Sequence, residues 1–154
     1  MDERTVRAAA ARDLDVLVEL RAEMFRAMQV PATDGRWRTN ARRWFADRID
    51  RTDYRIVVVE VAGTVVACAV GAVRDAAPSP GAPDGRDVLV SNVCTMPDAR
   101  GRGHGRAAFE AVMTWARTTG AGRAELMATG AGRPLYEGAG FLVQDCPAMR
   151  AALG

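Results

Sequence analysis

The feature that most constrains this chain lies in residues 87–112. A β-branched run, "DVLVSNVCT", leads into "MPDARGRGHGRAAFEAV", where three glycines and three arginines crowd into the seven residues from Arg100 to Arg106 before a run of helix formers begins. A strand, a glycine-rich turn and a helix in that order gather the free N–H groups of a first helical turn, and the helix dipole favours an anion there. Glycine lets the backbone approach that anion with no Cβ in the way. Arg100, Arg102 and Arg106 add charge-assisted donors. A disordered arginine-glycine segment would not be bounded directly by a β-branched strand and an amphipathic helix, so the stretch reads as a phosphate cradle. It is not a Walker loop, which ends in Gly-Lys-Ser/Thr, because the chain has no lysine. Nor does it match the dinucleotide fingerprint, which wants G-x-G-x-x-G near a first strand with an acid about twenty residues on, since Gly101, Gly103 and Gly105 alternate.

The remaining pattern predicts a mixed α/β layer structure in one domain over residues 1–154. "TVRAA" is a short strand. "RDLDVLVELRAEMFRAM" has Leu14, Leu17, Val18, Met24, Phe25 and Met28 at helical spacing, with Asp13 placed to cap it. Arg21 falls on the same stripe and is expected to lay its stem on the core with its head in solvent. "QVPATDG" breaks that helix, and "RWRTNARRWFADRID" is a second one with Trp37, Ala41, Trp44 and Phe45 inward. "YRIVVVEVAG" and "TVVACAVGAVR" form a hairpin about Ala62-Gly63. "DAAPSPGAPDGR" is a surface loop or lid. After the cradle, a helix carries Ala108, Phe109, Val112, Met113 and Ala116 on one face. Then come a strand, "RAELMAT", a short helix in "GRPLYEGAG" and a last strand, "FLV".

Composition excludes several classes. Hydrophobic content of 49% and charged content of 26% are those of a folded chain. No apolar run approaches the ~20 residues that span a bilayer. The charged N-terminus lacks a signal-peptide core, which leads us to expect a cytoplasmic protein with no membrane partner. A net charge of +2 argues against nucleic acid as a partner. The three cysteines, Cys68, Cys94 and Cys146, have no metal-site spacing; they read as reduced thiols, and no metal is expected.

"NVCTMPDARGRGHGRAAFEAV" resembles the acyl-CoA signature of the GNAT superfamily of N-acetyltransferases. Arg100, Gly103 and Gly105 fill its Arg/Gln-x-x-Gly-x-Gly/Ala core. Downstream, "PLYEGAGF" is similar to the family's second signature, Leu-Tyr-x-x-x-Gly-Phe, and the predicted element order matches the family fold. The resemblance implies a mixed sheet splayed at its centre and flanked by helices. It implies acetyl-CoA as cosubstrate and transfer to an amine by direct attack. It further implies that the backbone of Val93, Cys94 and Thr95 bonds the pantetheine arm, that Gly101 to Arg106 hold the pyrophosphate, and that Tyr136 protonates the departing thiolate. Where the family often has an asparagine seven residues before that tyrosine, this chain has Thr129, whose hydroxyl can still contact the arm. Family members are often dimers, so a homodimer is possible.

The general base stays open. Asp87 and Glu60 sit on predicted strands and Glu23 on the first helix, each also readable as a surface carboxylate. Ser91 and Asn92 could order a water instead. His104, the one histidine, is expected beside the phosphates rather than as a base. Cys94 reads as a packing residue, since no neighbour in sequence would activate it. The expected acceptor is a small molecule with a primary amine such as an amino acid, antibiotic or polyamine. The alternatives are a protein amine and a non-catalytic acyl-CoA-binding module. The acceptor would lie against Met24, Met28, Trp37 and the 75–86 loop.

Overall fold

In the computed structural model, which describes residues 3–32 and 34–154, the β-branched runs become an open five-stranded sheet. The strands are β1 (Arg4–Ala8), β2 (Tyr54–Val61), β3 (Thr64–Asp75), β4 (Arg86–Thr95) and β5 (Ala124–Glu125), in that spatial order. The first four are antiparallel and β5 joins β4 in parallel. Such a parallel join needs a crossover connection, supplied here by a helix. The helices are α1 (Leu14–Ala27), α2 (Arg36–Arg48), α3 (His104–Ala116) and α4 (Arg133–Gly138). In the break between α1 and α2, Thr33 lies outside the described residues, as do Met1 and Asp2 of the charged N-terminus.

The sheet is covered on both faces, which is why "IVVV" in β2 is apolar without alternation. Ile56 and Val58 face α1 with Leu14, Leu17, Leu20, Phe45, Cys68 and Val70. Val57 and Val59 face α3, where Ala108, Phe109, Val112 and Ala116 close the opposite core. Ala62 and Gly63 turn the β2–β3 hairpin with positive φ at both positions, as a type I′ turn requires.

Four expectations need correction. Asp13 does not cap α1. Its carboxylate takes the Ala10 N–H at 2.7 Å and a two-pronged bond from Arg7 at 2.7 and 2.9 Å, tying β1 to the helix entry. Trp44 is 36% exposed rather than inward, stacked edge-on against Phe45 and Tyr54. The strand expected over 123–129 pairs with β4 only through Ala124 and Glu125, because beyond them the chain parts from the sheet. "FLV" forms no strand, since residues 141–143 have no ladder to join.

Candidate active site

The parting of β5 from β4 creates the site. Val88 and Leu89 of β4 pair with Ala124 and Glu125, and past that point the edge of β4 has no strand beside it among the described residues. The same stretch of β4 carries a bulge. Val70 of β3 opposes Ser91 and Cys68 opposes Cys94, so Asn92 and Val93 share a single partner residue. Asn92 absorbs the extra residue at φ +56°, a left-handed conformation that asparagine tolerates better than most side chains. The bulge also reverses the strand's facing. Val88 and Val90 point to the α3 core, whereas Cys94, an even number like them, points to the α1 core.

Hydrogen bonding then fixes what the gap sees. Met96 N–H donates to Val66 O at 2.8 Å. Alternation along an antiparallel ladder therefore turns Cys94 N–H toward β3 and the N–H groups of Val93 and Thr95 toward the gap. Arg100 Nε donates to the Thr95 carbonyl at 3.2 Å, holding the strand's last residue against the glycine turn.

The turn itself has the form of an anion cradle. Gly103 leads into α3 with φ +80°, a conformation in which a side chain is strained. At Gly105 the need is space, since a Cβ there would stand 2.9 Å from Thr95 Oγ1. The first helical bond runs from Ala107 N–H to Gly103 O at 3.0 Å. The N–H groups of His104, Gly105 and Arg106 thus find no carbonyl acceptor among the described residues, and this is the orphan set an anion can satisfy. Arg100, Arg102 and Arg106 are exposed around it. His104 offers the turn its backbone, while its side chain is buried with Nδ1 unpaired among the described residues. One contributor was invisible in the sequence: Arg4 reaches from β1 to donate to Gly103 O at 3.3 Å.

The family model described as the acetyltransferase (GNAT) family matches residues 15–141. The chain belongs to the GNAT acetyltransferase family. Its fold is that of solved members. A predicted acetyltransferase from Clostridium acetobutylicum, crystallised with acetyl-CoA, superposes with a TM-score of 0.87 at 21% identity, covering 97% of this chain and 96% of that one. A GCN5-related N-acetyltransferase from Ralstonia eutropha gives 0.86 at 25% identity, covering 97% and 99%. Glucosamine-6-phosphate N-acetyltransferase from Arabidopsis thaliana gives 0.76 at 16% identity, covering 97% and 98%. No curated protein matches the sequence.

In this GNAT protein Tyr136 stands on α4. Its ring packs edge-on against Phe109, centroids 5.2 Å apart, and lies tilted against Phe141 at 6.2 Å. It also fills the space over Gly132, where a Cβ would come within 3.0 Å of the ring. Its hydroxyl bonds to no group among the described residues. Burial, with Cys94 nearby, raises the phenol's pKa above its ordinary value. Thr129 Oγ1 accepts the Gly132 N–H at 3.2 Å and so helps start α4.

Cys94 is buried with its Sγ 3.4 Å from Cys68 Sγ. That contact and burial push its thiol well above the ordinary value, the opposite of what a nucleophile needs.

The other face of β4, between α1 and α2, holds a cavity of about 730 Å³. Phe25, Trp37, Trp44, Leu89, Ser91 and Asn92 are among its walls. Arg21 enters it too, correcting the expectation of a head in solvent. Its Nη1 donates to Asn92 Oδ1 at 2.7 Å and its guanidinium lies over the Phe25 ring, 4.9 Å from the centroid. Desolvation lowers its pKa from the ordinary value.

The three carboxylates considered as bases stand elsewhere. Asp87 is buried and gripped at both oxygens by Arg74, 2.8 Å each, which holds its carboxyl below the usual value. Glu60 accepts from Arg7, and Glu23 pairs with Arg26. None of them lines the cavity, whereas Ser91 and Asn92 do. Among the described residues no cluster suited to a metal occurs, and no helix is long and apolar enough to cross a membrane.

Proposed function

We propose that this chain is one N-acetyltransferase domain that moves acetyl from acetyl-CoA to a primary amine of a small molecule. The observation that carries the reading is the bulged, unpaired end of β4, flanked by a glycine cradle, an aromatic hydroxyl and a cavity on the opposite face. Acetyl-CoA supplies an activated acyl group and a thiolate leaving group.

The residues present fit that cosubstrate. The orphan N–H groups of His104, Gly105 and Arg106 and the exposed arginines suit a pyrophosphate. The N–H groups of Val93 and Thr95 suit an extended amide-bearing arm in the gap. One of them, fixed in the strand before any reaction, stabilises charge developing on the acyl oxygen at no cost in reorganisation. Thr129, whose Oγ1 accepts from Gly132, keeps its own hydroxyl proton to donate to the arm. As the C–N bond forms and the C–S bond breaks, Tyr136 gives its proton to the sulfur, and the nitrogen loses one to water held by Ser91 and Asn92. The raised phenol pKa keeps Tyr136 protonated for that step.

The direct test is free-thiol release from acetyl-CoA across a panel of primary amines. Amine-dependent release supports the reading. Tight CoA binding with no release from any amine would leave an acyl-CoA-binding module.

Two further outcomes are expected. With no carboxylate or imidazole lining the cavity, kcat/KM rises with pH in proportion to the neutral fraction of the acceptor amine. The rise levels off once the pH passes the acceptor amine's own pKa, and burial, which raises the Tyr136 phenol above its ordinary value, extends the plateau to higher pH. A profile whose midpoint ignores the amine's own pKa would reveal a base on the enzyme. Separately, Gly103→Val forces a β-branched residue to φ +80° at a strain of about 1–3 kcal/mol. Calorimetry should show CoA affinity falling roughly 5- to 150-fold as that strain displaces the cradle. Unchanged affinity would remove the turn from the binding site.

A further inference from the structure

Arg21 is a cation in an apolar cavity with nothing negative to meet it. Of the guanidinium's five donors, the one spent is on Asn92 Oδ1. No carboxylate lies within ion-pair distance among the described residues, and none lines the cavity. Nε and Nη2 make no bond among the described residues, yet neither is sealed from solvent, so their N–H groups face an accessible space. Phe25 below and Asn92 beside it hold the group in one place. Asn92 is itself the bulge residue of β4, which sets the cation next to the strand segment that opens into the gap.

A half-buried, partly desolvated cation without a counter-ion carries a cost that a ligand bringing its own anion removes. The geometry points to Arg21 as the anchor for a carboxylate on the acceptor, so that the acceptor class is an amino acid with an apolar or aromatic body. The inference rests on the transfer reading above and narrows its substrate. It excludes polycations: a polyamine or an aminoglycoside would bring ammonium groups into a cavity whose one charged wall residue is positive. A carboxylate on a planar fork also orients its ligand. With the anion on Arg21 and the side chain among Phe25, Trp37 and Trp44, the α-amino group is left to face Ser91 and the bulge.

Trp37 and Trp44 line the cavity, so their fluorescence reads binding without turnover. The probes are 3-phenylpropionate, which has the carboxylate and no amine, phenethylamine, which has the amine and no carboxylate, and phenylalanine. In the unmodified protein, 3-phenylpropionate and phenylalanine should bind at least about tenfold tighter than phenethylamine. Arg21→Met should abolish that preference, and Arg21→Lys should restore part of it. Equal binding of acid and amine by the unmodified protein overturns the inference, as does a preference that survives Arg21→Met in a folded variant. Should Arg21→Met fail to fold, the comparison of probes in the unmodified protein decides alone. The two readings fail differently. Carboxylate binding with no thiol release from any amine would sink the transfer reading and spare the anion site. Thiol release without carboxylate preference would do the reverse.

Discussion

Replacing Tyr136 with phenylalanine is expected to cut kcat by ~10²–10⁴-fold, the range for loss of a positioned acid, while CoA affinity stays within about twofold. The substitution removes one oxygen. That oxygen has no hydrogen-bond partner among the described residues, so no protein group is orphaned by its loss. The ring keeps its contacts with Phe109, Phe141 and Gly132, and α4 keeps its start on Thr129. A phenol is protonated at neutral pH, and burial raises its pKa further, so the group lost is a proton donor across the neutral range. Single-turnover measurements with acetyl-CoA saturating separate this from a binding defect. Full turnover in Tyr136→Phe would make the residue a packing element and leave protonation of the thiolate to water.

How much of this was legible in the sequence depended on the range of the interaction involved. The glycine turn and the helix start after it were legible because their determinants are neighbours: Gly103 for its φ, Gly105 for the approach of Thr95, and the helix that follows. The β2–β3 hairpin was legible for the same reason. Strand pairing was less so, because whether "RAELMAT" joins a ladder depends on the separation between β4 and its neighbour. The pattern suited a seven-residue strand, yet two residues pair. Arg21 was misjudged because helical spacing places a residue on a face and says nothing of what faces it. The φ of Asn92, more than 70 residues away, turned an expected solvent-directed head into a wall of the cavity. The carboxylates show the converse. Asp87 and Glu60 looked available in sequence, and each is consumed by an arginine, Arg74 or Arg7, on a neighbouring strand.

The second large effect joins the core to the site. Phe109 is 1% exposed on α3 and packs against β2 and β3 on one side and against Tyr136 and Phe141 on the other. Phe109→Ala should cost ~3–5 kcal/mol, the sum of lost transfer energy and the cavity left behind. For a chain of this size that corresponds to a fall in Tm of the order of 10 °C or more, read by calorimetry or circular dichroism. The surroundings are poorly placed to collapse into the hole. Val112 and Ala108 are held by their own helix, and the strands beneath belong to a sheet packed on both faces. Tyr136 is the exception, because α4 is short and its ring has lost one of its supports. The variant should therefore lose kcat by more than its folded fraction explains, measured well below its Tm. Phe109→Leu refills most of the volume, so it should recover most of the stability and less of the rate, since leucine offers no ring edge to fix the phenol's angle. A rate that simply tracks the folded fraction in both variants would show that Tyr136 is positioned by α4 alone.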